Sequence, residues 1–208
     1  MALSFKSLFV ATDEQLMWRV KLEEDHRAFT DIMERWEQPL QNLCHRMTGD
    51  AHRAEDITQA VFTRIFARRE DWQPTAKFST FLWRVAINLC HDELRRTKRR
   101  AECAFENETI EALSDQSPAP DAEAAGNERA EHVREALFRL APHYRDVVVL
   151  RHYERLKFHE IGEVLGIPEG TVKSRMSEAL SQLNRFLKHL NEDTPCKPKI
   201  QTTELLAL

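Results

Sequence analysis

Between Phe158 and Leu180 the chain reads FHEIGEVLGIPEGTVKSRMSEAL, and no other stretch limits the fold as tightly. Ile161, Val164 and Leu165 recur at helical spacing and make one apolar face. Gly166 stands where a helix wants a left-handed residue after its last turn, and Pro168 suits the start of the next helix. Val172, Met176 and Leu180 then recur every four residues as a second buried stripe. Lys173, Ser174, Ser177 and Glu178 fall on the remaining faces. Two short helices joined by a tight glycine-containing turn, with small polar and cationic residues near the start of the second, form a helix-turn-helix. A helix roughly 10–12 Å across fits a DNA major groove about 12 Å wide, and its first turn points backbone N–H groups toward phosphate. An ordinary helical hairpin inside a bundle is the alternative that this pattern alone leaves open.

The rest of the chain is also helical in pattern. Glycine is scarce, with 5 in 208 residues, while Leu, Ala, Glu, Arg and Gln dominate. Thr12-Asp13-Glu14 offers a helix start, followed by Leu16, Val20, Phe29, Ile32, Met33 and Trp36 as apolar positions. Pro39 sits where a helix restarts, and Leu40, Leu43 and Met47 continue the stripe until Thr48-Gly49-Asp50 closes it. The next helix carries Ala54, Ile57, Val61 and Ile65. After a break at Trp72-Gln73-Pro74, Ser79 or Thr80 caps a helix whose apolar positions are Phe81, Val85, Leu89 and Leu94. Periodicity resumes near Glu128 with Val133, Leu137 and Leu140, and Pro142 starts a helix containing Val147, Val148 and Leu150.

Charge divides the chain. The net charge of −4 argues against a nucleic-acid partner, but the average misleads. From Lys77 to Arg100 there are seven cations and two acids; from Ala101 to Glu131 there are nine acids and one cation. The acidic stretch includes SDQSPAPDAEAAGNE, with two prolines, a glycine and little apolar content. Such a composition cannot bury a core, and it reads as a flexible linker. The expected architecture is therefore all-α: two small helical domains on an acidic linker, the second being the helix-turn-helix. Boundaries fall at 13–100, 101–128 and 129–190, with 191–208 a tail of disordered composition.

Several function classes drop out. No phosphate-binding glycine loop and no nucleophile–base motif appears, so no catalytic residue and no cofactor is assigned. Cys44, Cys90, Cys103 and Cys196 are too widely spaced for a zinc module or a disulfide framework. The pairs Cys44-His45 and Cys90-His91 cannot chelate alone, because adjacent helical residues point about 100° apart; no metal site is expected. No stretch approaches the roughly 18 apolar residues of a membrane span, so stable membrane insertion is not expected. The start MALSFKSLFVATDE lacks a cleavage pattern and reads as a mature cytoplasmic terminus.

The string EIGEVLGIPEGTVKSR resembles the C-terminal DNA-binding domain of the extracytoplasmic-function sigma factors of bacterial RNA polymerase, which run close to EIAEILGIPxGTVKSRL here. AEDITQAVFTRIF (Ala54 to Phe66) is similar to that family's polymerase-docking helix, and FSTFLWRVAINLCHDELRRTKRR (Phe78 to Arg100) to its promoter-melting helix. The two motif sets occur in the family's order across nearly the whole chain. The resemblance implies a protein that binds core RNA polymerase, directs it to promoter DNA with paired −35 and −10 elements, helps open the duplex, and answers in many relatives to an anti-sigma factor. The alternative is a free-standing helix-turn-helix regulator, in which the two N-terminal motifs have no task.

Carried over residue by residue, the resemblance assigns Asp56, Gln59 and Phe62 to the polymerase's coiled-coil. Asp56 and Gln59 share a helix face; Phe62 is either an anchor at its edge or plain core. Phe78, Ser79 and Thr80 form the loop before the melting helix, and Phe81, Trp83 and Asn88 supply stacking and hydrogen bonds to a base flipped from the −10 element, unless Phe81 or Trp83 is buried. Arg95, Arg96, Lys98, Arg99 and Arg100 lie along phosphates. At the −35 element the contacts fall on Arg151, Thr171, Lys173, Ser174, Arg175, Ser177 and Glu178. Where relatives continue SRLxRAR this chain reads SRMSEAL, so Glu178 replaces a cation. It either reads a base or points to solvent. The acidic linker either follows the path later taken by nascent RNA or is a plain tether.

Overall fold

The computed structural model describes residues 11–73, 77–106 and 124–192. All its regular elements among these residues are helical. They group into two compact units, one holding residues up to His45 and Asp50–Leu89, the other Arg46–Gly49 and residues from Cys90 onward. Residues 107–123 of the expected linker and the tail from 193 lie outside the described residues.

The first unit begins with α1, Asp13–Glu23. Thr12 caps it: its Oγ1 accepts from Gln15 N at 3.3 Å, and Gln15 Oε1 accepts from Thr12 N at 3.0 Å. The helix stops at Glu24, whose φ of 51° is left-handed. The sequence reading passed over this break. Asp25 then accepts from the N–H groups of Arg27 and Ala28 at 2.9 and 3.1 Å and opens α2, His26–Thr48. The Ala28 N–H does most to lower the Asp25 pKa, with Arg19 and then the Arg27 N–H adding to it against the cost of burial.

Pro39 does not restart a helix; α2 runs through it for 23 residues. Proline inside a helix costs about 3 kcal/mol. Here Ile32, Leu40, Leu43, Cys44 and Met47 are all fully buried along the same helix. Burying each such side chain is worth about 1.5–3 kcal/mol, so packing outweighs the one lost hydrogen bond.

Asp50 accepts from Arg53 N at 3.0 Å and starts α3, Ala51–Ala67. A 3-10 turn, Arg69–Asp71, follows. Lys21 Nζ ties this turn to α1 by donating to the carbonyls of Glu70 at 2.8 Å and Trp72 at 2.7 Å. Trp72 itself is buried, so the expected break holds a core residue.

The fourth helix, α4, spans Phe78–Glu106. Two expectations are corrected here. Phe78, Ser79 and Thr80 are the first turn of α4 rather than a loop before it: the carbonyl of Lys77 accepts from Thr80 N at 3.1 Å and Phe81 N at 3.4 Å. The buried stripe is Phe78, Leu82, Trp83, Ala86, Ile87 and Cys90, while Phe81, Val85, Leu89 and Leu94 are half-buried. Trp36 decides the register. It packs edge-on against Trp83 with ring centres 5.4 Å apart and against Phe78 at 6.3 Å. Its Nε1 is satisfied by Asp13 at 3.1 Å. Aromatic pairs of this geometry add about 0.5–1.5 kcal/mol beyond burial.

The second unit holds α5 (Ala124–Arg139), α6 (Pro142–His152), α7 (Phe158–Leu165) and α8 (Glu169–Glu192). Pro142 opens α6 as expected. Val147 to Leu150 are all buried, as are Leu137, Leu140, Ile161, Val172, Ala179 and Leu183. Arg145 is the unusual member of this core. Its guanidinium donates to the carbonyls of Leu137, Phe138 and Leu140 at 3.1, 2.8 and 3.2 Å. The carbonyls of Leu137 and Phe138 belong to the last turn of α5 and that of Leu140 follows it, so the cation caps a helix C-terminus. Burial holds the Arg145 pKa below its usual value, with Asp146 pulling it back up.

Candidate nucleic-acid interface

The turn between α7 and α8 has the geometry its sequence implies. Glu160 Oε2 accepts from Lys157 N at 2.8 Å at the head of α7. Gly166 takes φ +67° and closes the helix. Ile167 N then donates to Gly162 O at 3.0 Å. A Cβ at Gly162 would meet Ile167 O at 2.8 Å, so this second glycine lets the turn approach α7 closely. The Pro168 carbonyl accepts from Thr171 N at 2.9 Å and Val172 N at 3.1 Å, which starts α8.

Along α8 the buried stripe is Val172, Met176, Ala179, Leu183 and Leu187; Leu180 is only half-buried. Leu165 in α7 is likewise half-buried, the core being Ile161, Gly162 and Val164. Lys173, Ser174, Ser177 and Glu178 are exposed on the outer faces, and Thr171 and Arg175 are half-buried. Several are pre-set by neighbours. Lys173 Nζ lies 2.7 Å from Glu169 Oε1, and this pairing lowers the Glu169 pKa. Ser174 Oγ donates to Thr171 O at 3.0 Å. Glu178 Oε1 accepts from Gln182 Nε2 at 2.8 Å. Arg151 is turned inward: it donates to Leu156 O at 2.9 Å and stands 4.9 Å over the Phe158 ring. It braces the loop before α7 and does not extend toward a backbone phosphate in this conformation.

On α4 the assigned residues divide. Phe78, Thr80 and Trp83 are buried, so none of them presents a ring or hydroxyl to a base. Ser79 and Phe81 are half-buried, and Asn88 is exposed. Phe81, Arg84, Asn88, Arg95 and Arg99 follow one another at spacings of three, four, seven and four residues, so they share one helix face. Arg84 was not singled out from sequence, although its spacing placed it there. Arg95, Arg96, Lys98, Arg99 and Arg100 are all exposed. Arg95 pairs with Asp92 at 3.4 Å, Arg96 with Glu93 at 3.1 Å and Lys98 with Glu102 at 3.8 Å. Exposed pairs of this kind are worth about 0–1 kcal/mol, so a phosphate can displace the carboxylates.

On α3, Asp56 and Gln59 are exposed on one face. Phe62 is 5% exposed and edge-on to Phe29, with centres 6.3 Å apart. It is the floor of a cleft between α2 and α3 rather than a surface anchor. Phe29, Met33 and Phe66 also line this cleft, and sequence reasoning had assigned them to no surface.

Among the described residues no group of His, Cys, Asp and Glu is arranged to hold a metal ion, and Cys44 and Cys90 are buried thiols outside any disulfide. No described helix is long and apolar enough to cross a membrane.

Comparison with known proteins fits this arrangement. The Sigma-70 region 2 family matches residues 32–100 and the Sigma-70, region 4 family matches residues 136–185. The chain is 34% identical to the ECF RNA polymerase sigma factor SigW of Bacillus subtilis (strain 168), over 80% of this chain and 92% of that protein. It is 31% identical to the RNA polymerase sigma factor CarQ of Myxococcus xanthus, over 78% of this chain and 91% of that one. The solved structure of CnrH in complex with the cytosolic domain of CnrY shares the fold, with a TM-score of 0.63 at 19% identity over 88% of this chain and 99% of that one. The chain belongs to the extracytoplasmic-function sigma factors of bacterial RNA polymerase.

Proposed function

We propose that this sigma factor, which binds core RNA polymerase and directs it to promoters, divides that work among three helix faces. The observation that carries the reading is the outward set Lys173, Ser174, Ser177 and Glu178 on α8, opposite a continuous buried stripe. That face enters the major groove of the −35 element, with the first turn of α8 against phosphate.

On α4, Phe81 and Asn88 engage a base drawn out of the −10 element, and Arg84, Arg95 and Arg99 follow the strand backbone. Extruding a base costs a few kcal/mol, and a stacking contact returns about 1–3 kcal/mol. Phe78 and Trp83 serve indirectly by fixing the pose of α4 from within the core. Asp56 and Gln59 on α3 bind core polymerase. The N-terminal domain thus covers about 13–100 and the helix-turn-helix domain about 129–190. The protein is a non-catalytic initiation factor acting in the cytoplasm beside the polymerase.

An anti-sigma factor is the proposed regulator, because the structurally similar sigma factor RpoE from Bartonella quintana was solved in complex with the anti-sigma factor NepR. The test of the three-face division is footprinting of the holoenzyme on a promoter, with Phe81→Ala and Ser177→Ala compared. The first should keep −35 protection and lose reactivity of single-stranded bases in the −10 region. The second should weaken −35 protection. Loss of both signals together in either variant would contradict the division.

A further inference from the structure

Lys173 is the one cation among the outward α8 side chains Lys173, Ser174, Ser177 and Glu178, and it is already engaged. Its Nζ lies 2.7 Å from Glu169 Oε1, one turn back at the head of the helix. A glutamate four residues before a lysine is the favourable order for such a pair. Glu169, Lys173 and Ser177 follow at intervals of four, so the carboxylate heads the outward line assigned above to the −35 element. Lys173 does most to hold the Glu169 carboxyl below its usual range, and His159 in the first turn of α7 adds to the pull. The acid is therefore flanked by basic side chains from both helices of the motif.

A carboxylate suits the positive end of any helix, and that alone accounts for an acid at the start of α8. The bond to Lys173 does more. A lysine ammonium on its flexible stem reaches many phosphates equally well. Sequence-independent binding to duplex DNA comes almost wholly from such contacts. A lysine tied back to the head of α8 contributes less to that binding. It is also pre-set for the seat it takes when the helix enters the groove, which lowers the cost of ordering it there.

We propose that Glu169 is a positioning residue for −35 recognition: by holding Lys173 against the head of α8, it favours the seated promoter complex over sequence-independent binding. The proposal rests on α8 entering the major groove of the −35 element.

The test compares holoenzymes on a promoter duplex and on the same duplex with a scrambled −35 element, across a salt series. Glu169→Gln frees Lys173. Affinity for the scrambled duplex should rise about two- to fivefold, the most that an exposed pair withholds. Its salt slope should steepen by about 0.9 as one more phosphate contact forms. Promoter affinity should rise less or fall, so the ratio of the two drops. Glu169→Asp keeps the charge at the helix start but shortens the arm that reaches Lys173, and it should lower the ratio by a smaller step. Neither change should alter the ratio in a Lys173→Gln background. Both positions are exposed, so the fold should survive, and thermal unfolding checks this. Equal gains on both duplexes, or a parental ratio in Glu169→Asp, would mean that the carboxylate merely repels phosphate and would overturn the proposal. A drop in ratio that persists with Lys173→Gln would overturn it too. If Lys173→Gln weakens promoter binding while both Glu169 variants keep the parental ratio, the docking of α8 stands and the proposal alone falls. If Lys173→Gln and Ser177→Ala leave promoter binding unchanged, the docking fails and takes the proposal with it.

Discussion

Glu178 Oε1 accepts a hydrogen bond of 2.8 Å from Gln182 Nε2, one turn further along the exposed face of α8. The bond favours one pose of an exposed carboxylate by about 0.2–0.5 kcal/mol. On the docking proposed above, an acceptor at this position suits the exposed amino group of cytosine. Replacing Glu178 with Ala should relax the −35 preference at a single base pair by about 1–3 kcal/mol. Glu178→Arg should instead add a phosphate contact and steepen the salt dependence. Promoter-variant binding by the two holoenzymes distinguishes these outcomes. A uniform change across all −35 substitutions with Glu178→Ala would show that the residue reads no base.

Asp56 and Gln59 are exposed while Ile57, Val61 and Ile65 fill the core of the same helix. Replacing both with Ala should abolish holoenzyme assembly in a pull-down. Stability should stay within about 0.5 kcal/mol of the parent, as for surface changes generally. Retained assembly would remove this face from the docking account.

Phe78 and Phe81 sit three residues apart and should behave oppositely. Phe78 is fully buried against Trp36, so Phe78→Ala should cost about 3–5 kcal/mol in urea unfolding. Phe81 is half-buried. Phe81→Ala should cost far less stability but slow promoter opening, followed by the fluorescence of an unstacked base analogue in the −10 element. Equal stability losses in the two variants would contradict the register of α4.

This register marks where sequence reading stopped short. The helix-turn-helix was legible because Gly166 and Pro168 are local signals whose backbone demands do not depend on distant partners. The helix start at Thr12 was legible for the same reason, whereas Asp50, read only as closing the preceding helix, proves to be the cap of α3. The start of α4 was not. Ser79 and Thr80 resemble caps, yet Phe78 is drawn into the core by Trp36, some forty residues earlier, and the helix begins there. Pro39 misled likewise, because the burial that carries α2 through it is tertiary. Arg151 resembled a phosphate contact, and only the fold shows it bonded to Leu156. The cleft at Phe29, Met33 and Phe66 was invisible because apolar residues at helical spacing look alike whether their neighbour is present or missing.

Burial pushes the Glu154 carboxyl up to about 7 from its ordinary 4.5, against the attraction of Arg46 at 3.9 Å. The folded chain therefore holds this proton more tightly than the unfolded one. Stability from this group is present below about 4.5 and is lost as pH rises through about 7. By linkage the loss is of order 3 kcal/mol. Glu154→Gln should match the parent near pH 4.5 and exceed its stability above pH 8. A difference between the two proteins that does not vary with pH would contradict the raised pKa.

The central claim is that this chain gives core polymerase a promoter choice it lacks. Run-off transcription with core polymerase, with and without the protein, on a library of genomic promoters tests it most directly. The account predicts transcripts only when the protein is added, starting downstream of one recurrent pair of −35 and −10 sequences, and lost with the Asp56/Gln59 double variant. No added transcripts, combined with nanomolar sequence-specific binding of the protein alone to operator DNA, would contradict it and identify a free-standing regulator.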